Sequence, residues 1–136
     1  MNKWTGSSAV CINENGQLLM VLQGKPEEEK TWSVPSGRRE GNETFEACCI
    51  REVEEETGYV VKIVEEIKRK SSIESNIPLE VHYFLVEITG GEEKIQDPDH
   101  LIYDIAWKSS DELKIIQLTF PEDKGFLIEY MGNCFG

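Results

Sequence analysis

No stretch of this 136-residue sequence stays apolar for long. The longest clean run is residues 18–22, far short of the roughly 20 residues that cross a bilayer as a helix. Basic residues are also scarce: 14 Lys and Arg stand against 26 Asp and Glu, a formal charge of -12. With no basic stripe, such a surface repels nucleic acid polymers and anionic membranes unless bound cations reverse the field. The four cysteines (Cys11, Cys48, Cys49 and Cys134) contain no CxxC pair, and neither His82 nor His100 lies at zinc-ligand spacing from them. That excludes a zinc ribbon and a disulfide scaffold, and it fits a reducing compartment. The N-terminus offers only Lys3 and a four-residue apolar stretch at 9–12, which is not a signal peptide, so the expected location is cytoplasmic. No internal repeat or linker interrupts the chain, so residues 1–136 are expected to form one domain.

What remains is an ordinary globular composition, 39% apolar and 29% charged. Residues 8–12 and 17–23 read as strands joined through Asn15-Gly16, a strong hairpin signal. A short strand at 32–34 stops at Pro35, and a polar loop with Gly37 and Gly41 follows. Asn42 is placed to cap a helix over 43–57, with Gly58 at its C-terminal cap. Strands are expected at 59–68, 80–89 and 101–108, then short helices from Ser110-Asp111 to about 116 and from 119–121 to about 131. Strands and helices alternate without a βαβ repeat, which predicts the α+β class: a mixed sheet flanked by helices. Adjacent Cys48 and Cys49 point to different faces of the first helix and are expected as small buried hydrophobes.

Acid is concentrated in one place. Residues 40–56 hold seven glutamates and one arginine. At 100° per residue, with Glu52 at 0°, Glu56 falls at about 40° and Glu55 at about 300°. Ala47, Ile50 and Val53 form a separate apolar stripe suited to packing on a sheet. Like charges one turn apart destabilise a helix, and more so near its C-terminus, where the dipole favours cations. A helix needing only solubility would interleave lysines; three oxygen ligands on one arc instead suit a hard divalent cation such as Mg²⁺ or Mn²⁺.

Residues 37–59 read GRREGNETFEACCIREVEEETGY. This segment resembles the signature box of the Nudix hydrolases, the MutT-like nucleoside diphosphate-X pyrophosphohydrolases: G-x5-E-x7-R-E-U-x-E-E-x-G-U, with U aliphatic. Gly37, Glu43, Arg51, Glu52, Val53, Glu55, Glu56 and Gly58 all fall into place. Tyr59 replaces the final aliphatic residue, and Ser36 stands where many members have a second glycine. The resemblance implies an α/β/α sandwich whose loop-helix-loop binds divalent metal and cleaves a pyrophosphate link. It carries the metal-ligand role to Glu52, Glu55, Glu56 and the Gly37 carbonyl. Glu43 and Arg51 are then orienting residues, Arg51 holding a carboxylate through a bidentate pair.

The chemistry so implied is attack by water on a pyrophosphate whose charge Mg²⁺ (or Mn²⁺) neutralises. Glu52 and Glu55, with Arg51 beside them, form the catalytic group; the proton acceptor is Glu52, Glu55, or one of Glu92, Glu93, Asp97 and Asp99 on a later loop. Arg38 and Arg39 flank the metal loop and suit substrate phosphates, with Lys25 a weaker candidate. Trp32, Tyr83 and Phe126 either stack a base or belong to the core. The proline that marks the family's ADP-ribose group is replaced by Glu74 and Ser75, the nearest proline being Pro78, and the coenzyme A group's upstream signature is absent. The default substrate is therefore a nucleoside triphosphate or small dinucleotide. The alternatives are a non-catalytic nucleotide-binding module and an RNA 5′-end pyrophosphohydrolase, the latter opposed by the charge. A homodimer is compatible with the sequence.

Overall fold

The computed structural model describes residues 3–135. Its elements run β1 (Trp4–Val10), β2 (Leu18–Gln23), β3 (Thr31–Ser33), β4 (Ser36–Arg38), α1 (Phe45–Thr57), β5 (Tyr59–Glu74), β6 (Ile77–Gly91), β7 (Ile102–Lys108), α2 (Ser110–Ile115) and α3 (Asp123–Phe135). Strands and helices mix as the α+β reading expects, and the sheet is divided in two. One sheet has the order β4-β1-β6-β5, mixed because β1 runs parallel to β6; the other has the antiparallel order β3-β2-β7.

That division corrects the expected hairpin. The Asn15-Gly16 turn does form: the Asn13 carboxamide oxygen accepts the Asn15 and Gln17 amides, and Gly16 takes φ 75°. Beyond it the strands share only the Ile12–Leu18 bridge and the Leu19 amide to the Cys11 carbonyl. β1 then departs to pair with β4 and β6, and β2 with β3 and β7. The cause lies in their side chains. Residues 6–11 and 18–21 are buried without alternation, so both faces of each strand need cover, which a two-stranded ribbon does not supply.

Cover comes from two sides. Ala9, Cys11, Leu19, Phe84 and Val86 pack with Cys49 and Val53 of α1 in one cluster. Val10, Leu18, Met20 and Val34 pack with Leu113 of α2 and with Leu127 and Met131 of α3 in the other. Successive residues on β1 and β2 thus serve opposite clusters, and the sheets are sandwiched between helices. Cys11, Cys48 and Cys49 are buried free thiols as expected, and Cys134 lies outside the residues whose side chains are described.

Several boundaries move, and the expected polar loop after Pro35 opens with the short strand β4. Thr44, not Asn42, caps α1, its hydroxyl accepting the Ala47 amide, because Glu40 and Glu43 first close a turn on each other. The outer hairpin runs on past residue 68 to a two-residue turn at Ser75-Asn76, both with positive φ, the geometry that matches strand twist. Gly58 caps α1 as read, at φ 82°, where a Cβ would be strained. Ser109 caps α2 through a reciprocal capping box with Glu112.

Candidate active site

Helix α1 buries part of the stripe expected of it, Val53 lying in the core and Ile50 packing against it, but not Ala47. Ala47 is exposed and Ile50 only half-buried; the covered residues are Cys48, Cys49, Val53, Glu56 and Thr57. Glu52 and Glu56 of the acidic arc therefore turn inward, beneath the loop that begins with β4, while Glu55 does not. Glu56 is 7% exposed, and its Oε1 accepts the Ser36 amide at 3.2 Å. Gly37, paired to Ser7 of β1, lies so close to α1 that a Cβ there would collide with the Glu52 carboxylate.

The single arginine of the acidic segment organises its neighbours. Arg51 grips Glu43 with two parallel bonds, Nε to Oε2 at 2.7 Å and Nη2 to Oε1 at 2.9 Å. Its Nη1 donates to Glu52 at 2.6 Å and to Glu55 at 3.2 Å, while Nη2 also reaches the Arg38 carbonyl at 2.9 Å. The bidentate bond from Arg51 pulls the Glu43 carboxyl down to about 2. Arg51 thus supplies part of the positive charge that the helix requires, but it does not reach Glu56. Among the described residues Glu56 has no cationic partner. Burial, then the facing Glu52 carboxylate, raises its pKa well above the usual carboxylate range. Burial also raises that of Glu52, against the opposing pull of Arg51.

Glu52 and Glu56 line an open cleft of about 620 Å³ together with Gly37, Arg38 and Arg39. Asp97 and Asp99 from the β6–β7 loop also line it. That loop is fastened to the end of α1, since Gln96 donates its amide to the Glu55 carbonyl and Lys94 donates to that of Thr57. Asp97 in turn accepts the Asp99, Leu101 and Ile102 amides, which fixes its carboxylate in the turn. Asp99 is exposed.

The other sequence candidates separate clearly. Glu55 stays on Arg51 at the rim and does not line the cleft; Glu92 and Glu93 are exposed outside it, Glu93 accepting the Tyr59 hydroxyl. Arg38 is exposed at the cleft. Arg39 is held by Thr5 and lies 4.6 Å over the Phe45 ring, which itself stacks on His82 at 3.5 Å. Lys25, Trp32, Tyr83 and Phe126 do not line the cleft. Tyr83 is buried with its hydroxyl on Asp123, and Phe126 meets it edge-on, so these two rings are core. The aromatic residues that do border the cleft are Trp4 and Phe120. No motif marks them; Phe120 stands out only as a large apolar residue left 39% exposed.

Among the described residues no three His, Cys, Asp or Glu side chains are gathered tightly enough to enclose an ion as they stand. The donor set nevertheless fits a divalent cation. Two partly desolvated carboxylates face each other at the cleft, and both are pushed toward the protonated state by burial that a bound cation would offset.

A loop-helix-loop laying paired carboxylates beneath a sandwich of two sheets defines a hydrolase of phosphoric anhydrides. The NUDIX domain model matches residues 3–129, and the chain belongs to the Nudix family. It is similar to "ADP-ribose pyrophosphatase" of Bacillus subtilis (strain 168), with 30% identity over 135 residues covering 95% of this chain and 73% of that protein. It is also similar to "Putative nudix hydrolase 1" of Caenorhabditis elegans, with 31% identity over 112 residues, 79% of this chain but only 29% of that protein. Among solved structures, a NUDIX hydrolase from Nitrosomonas europaea superposes with a TM-score of 0.84, covering 97% of this chain and 90% of that one at 20% identity. The shared fold extends well beyond the box. Among the described residues no helix is long and apolar enough to cross a membrane.

Proposed function

We propose that this protein hydrolyses the pyrophosphate linkage of a small nucleoside diphosphate-X compound with the help of Mg²⁺, Mn²⁺ serving in its place. The observation that carries the reading is Glu56: a buried carboxylate bonded to the Ser36 amide and to the neighbouring Glu52 carboxyl, with no cationic partner among the described residues. A fold retained for packing alone would place an apolar residue there, because an unpaired buried carboxylate is costly. Glu52, Glu56 and the Gly37 carbonyl would hold the cation, with Glu55 joining when it leaves Arg51. The bound cation would offset phosphate charge and ease deprotonation of water.

The chain's own residues divide the remaining work. Arg51 fixes Glu43 and Glu52 in orientation, and Arg38 and Arg39 meet the substrate's phosphates. Of the acceptors open at the outset, Glu52 on the helix and Asp99 on the loop fit the water's proton better than Glu55, Glu92 or Glu93, which lie off the cleft. Asp97 is already committed to three amides. The substrate class includes nucleoside triphosphates and small dinucleotides, and the named activity of the Bacillus relative adds ADP-ribose. The net charge of -12 favours a small substrate over an RNA end. We place the domain in the cytoplasm, where its buried free thiols remain reduced.

The test is a panel of nucleoside triphosphates, dinucleotides and ADP-ribose with Mg²⁺ or Mn²⁺, run in ¹⁸O-labelled water with products identified. Metal-dependent release of a nucleotide and a phosphate-bearing product supports the reading, and the label reports the phosphorus attacked. Nucleotide binding without any turnover would leave a binding module instead.

A further inference from the structure

Arg39 differs from the arginines that the fold has already committed. Arg51 is held by Glu43 and its neighbours, and Arg69 lies 2.6 Å from Glu66. The chain carries 26 acidic side chains, yet among the described residues Arg39 pairs with none of them. It is fixed all the same. Its amide donates to the Thr5 carbonyl at 2.8 Å, its Nε to the Thr5 hydroxyl at 3.3 Å, and its guanidinium lies over the Phe45 ring. The two Nη groups have no partner among the described residues, and Arg39 lines the cleft. A planar cation held in place with donors to spare is preorganised for an anion.

The platform beneath it is anchored in turn. Ser7 Oγ donates to the Phe45 carbonyl at 2.6 Å, which pins the start of α1 to β1. The His82 imidazole covers one face of the Phe45 ring, with centroids 3.5 Å apart and planes 6° apart, and leaves the other face to the guanidinium. His82 is buried, and both its nitrogens face carboxylates: Nε2 lies 2.6 Å from Glu80 and Nδ1 3.4 Å from Glu66. Lys3 holds Glu80 at 2.6 Å, as Arg69 holds Glu66. The imidazole cannot turn without giving up these contacts, and Phe45 cannot slide without losing its stacked partner.

We propose that Phe45 and His82 are positioning residues for substrate binding: their stack holds Arg39 so that its free Nη edge meets a phosphate of the substrate. The inference rests on the pyrophosphohydrolase reading and adds what orients its phosphate contact. It also separates the two arginines of the loop. Arg38 is exposed, and among the described residues no side-chain bond fixes it, so only Arg39 offers an ordered contact.

The test is a double-mutant cycle read by binding. Imidodiphosphate, whose P–N–P bridge resists hydrolysis, is titrated calorimetrically with Mg²⁺ into the wild type, Phe45→Leu, Arg39→Ala and the combined variant. Each single variant should bind at least roughly fivefold more weakly, the loss expected when a partly exposed cation–π contact is removed. The combined variant should bind no more weakly than Arg39→Ala, because Phe45 acts only through the arginine. Phe45→Tyr, which keeps the ring face, should restore binding, and His82→Leu should weaken it only where Arg39 is present. With a nucleoside triphosphate, the Phe45→Leu loss should fall on KM, with kcat far less affected. Circular dichroism checks folding, and Phe45→Met replaces the leucine variant if that one fails. Additive losses in the cycle, wild-type binding by folded Phe45→Leu, or a fall in kcat at unchanged KM overturns the proposal and leaves the hydrolase reading intact. Imidodiphosphate binding that follows the cycle in a protein that turns over no nucleotide would do the reverse.

Discussion

The α-carbon of Gly37 lies against the carboxylate of Glu52, and the space between them admits no methyl group. Position 37 is therefore set by a side chain fifteen residues further along, on the other side of a loop.

Gly37→Ala should displace Glu52 or push the β4 loop off α1. We expect a modest loss of stability, about 1–3 kcal/mol as for other overpacked sites, with a disproportionate loss of metal-dependent turnover. Denaturant melts and steady-state kinetics on the same preparation check this. A fully active Gly37→Ala enzyme would sink the assignment of Glu52.

Glu56→Gln keeps the shape and the acceptor for the Ser36 amide but removes the charge. The variant should fold at least as well as the parent without metal, since it no longer buries an ionisable group facing Glu52. Metal-dependent turnover should drop by roughly a hundredfold or more, beyond what loss of an outer-shell partner costs. Calorimetric titration with Mg²⁺ or Mn²⁺ and the ¹⁸O assay read the two halves separately; unchanged activity would refute the ligand role.

Glu43 gives a pH signature away from the cleft. Its carboxyl is held at about 2 in the folded protein, below the ordinary 4.5, so the unfolded chain binds its proton more readily. Its contribution to stability is thus fully present above about pH 4.5 and is lost as the pH falls toward about 2. Glu43→Gln should flatten that part of the stability curve relative to wild type. Urea melts every half unit from pH 2 to 6 test it, and parallel wild-type and variant curves would contradict the Arg51 fork.

On the far side of the sheets, Tyr83→Phe removes the hydroxyl that donates to Asp123, whose side chain is almost wholly buried. Lys70 remains as a partner at 3.4 Å. A cost of about 1–3 kcal/mol is expected for the lost bond, seen as a fall of several degrees in Tm. An unchanged Tm would mean that the hydroxyl contributes nothing to seating α3.

The legible part of this protein was its box. Spacing alone put Glu52 and Glu56 on one arc, and the resemblance of the box added Gly37, because one short helix and its entry loop carry them and local geometry fixes their mutual placement. The direction in which that helix faces was legible only in part: Val53 and Ile50 do pack on the core. Ala47 looks like the better core residue, yet Glu56 is the one buried, since the β4 loop covers the acidic arc and a wheel drawn for one helix contains no loop. Asn15-Gly16 announced its turn correctly and its hairpin wrongly, because which strands β1 and β2 finally join depends on partners up to ninety residues away. Trp4 and Phe120 lie at opposite ends of the chain and carry no motif. Only the folded arrangement brings both to the cleft.

The tie between the β6–β7 loop and the end of α1 bears on motion. Lys94 and Gln96 spend their amides on the last carbonyls of the helix, so the strap carrying Asp97 and Asp99 travels with the glutamates as one jaw. Widening to admit a ligand should then come from lining residues outside this jaw, Phe120 among them. Breathing of this enzyme should show as faster amide exchange around residues 118–122, with Lys94 and Gln96 staying quiet.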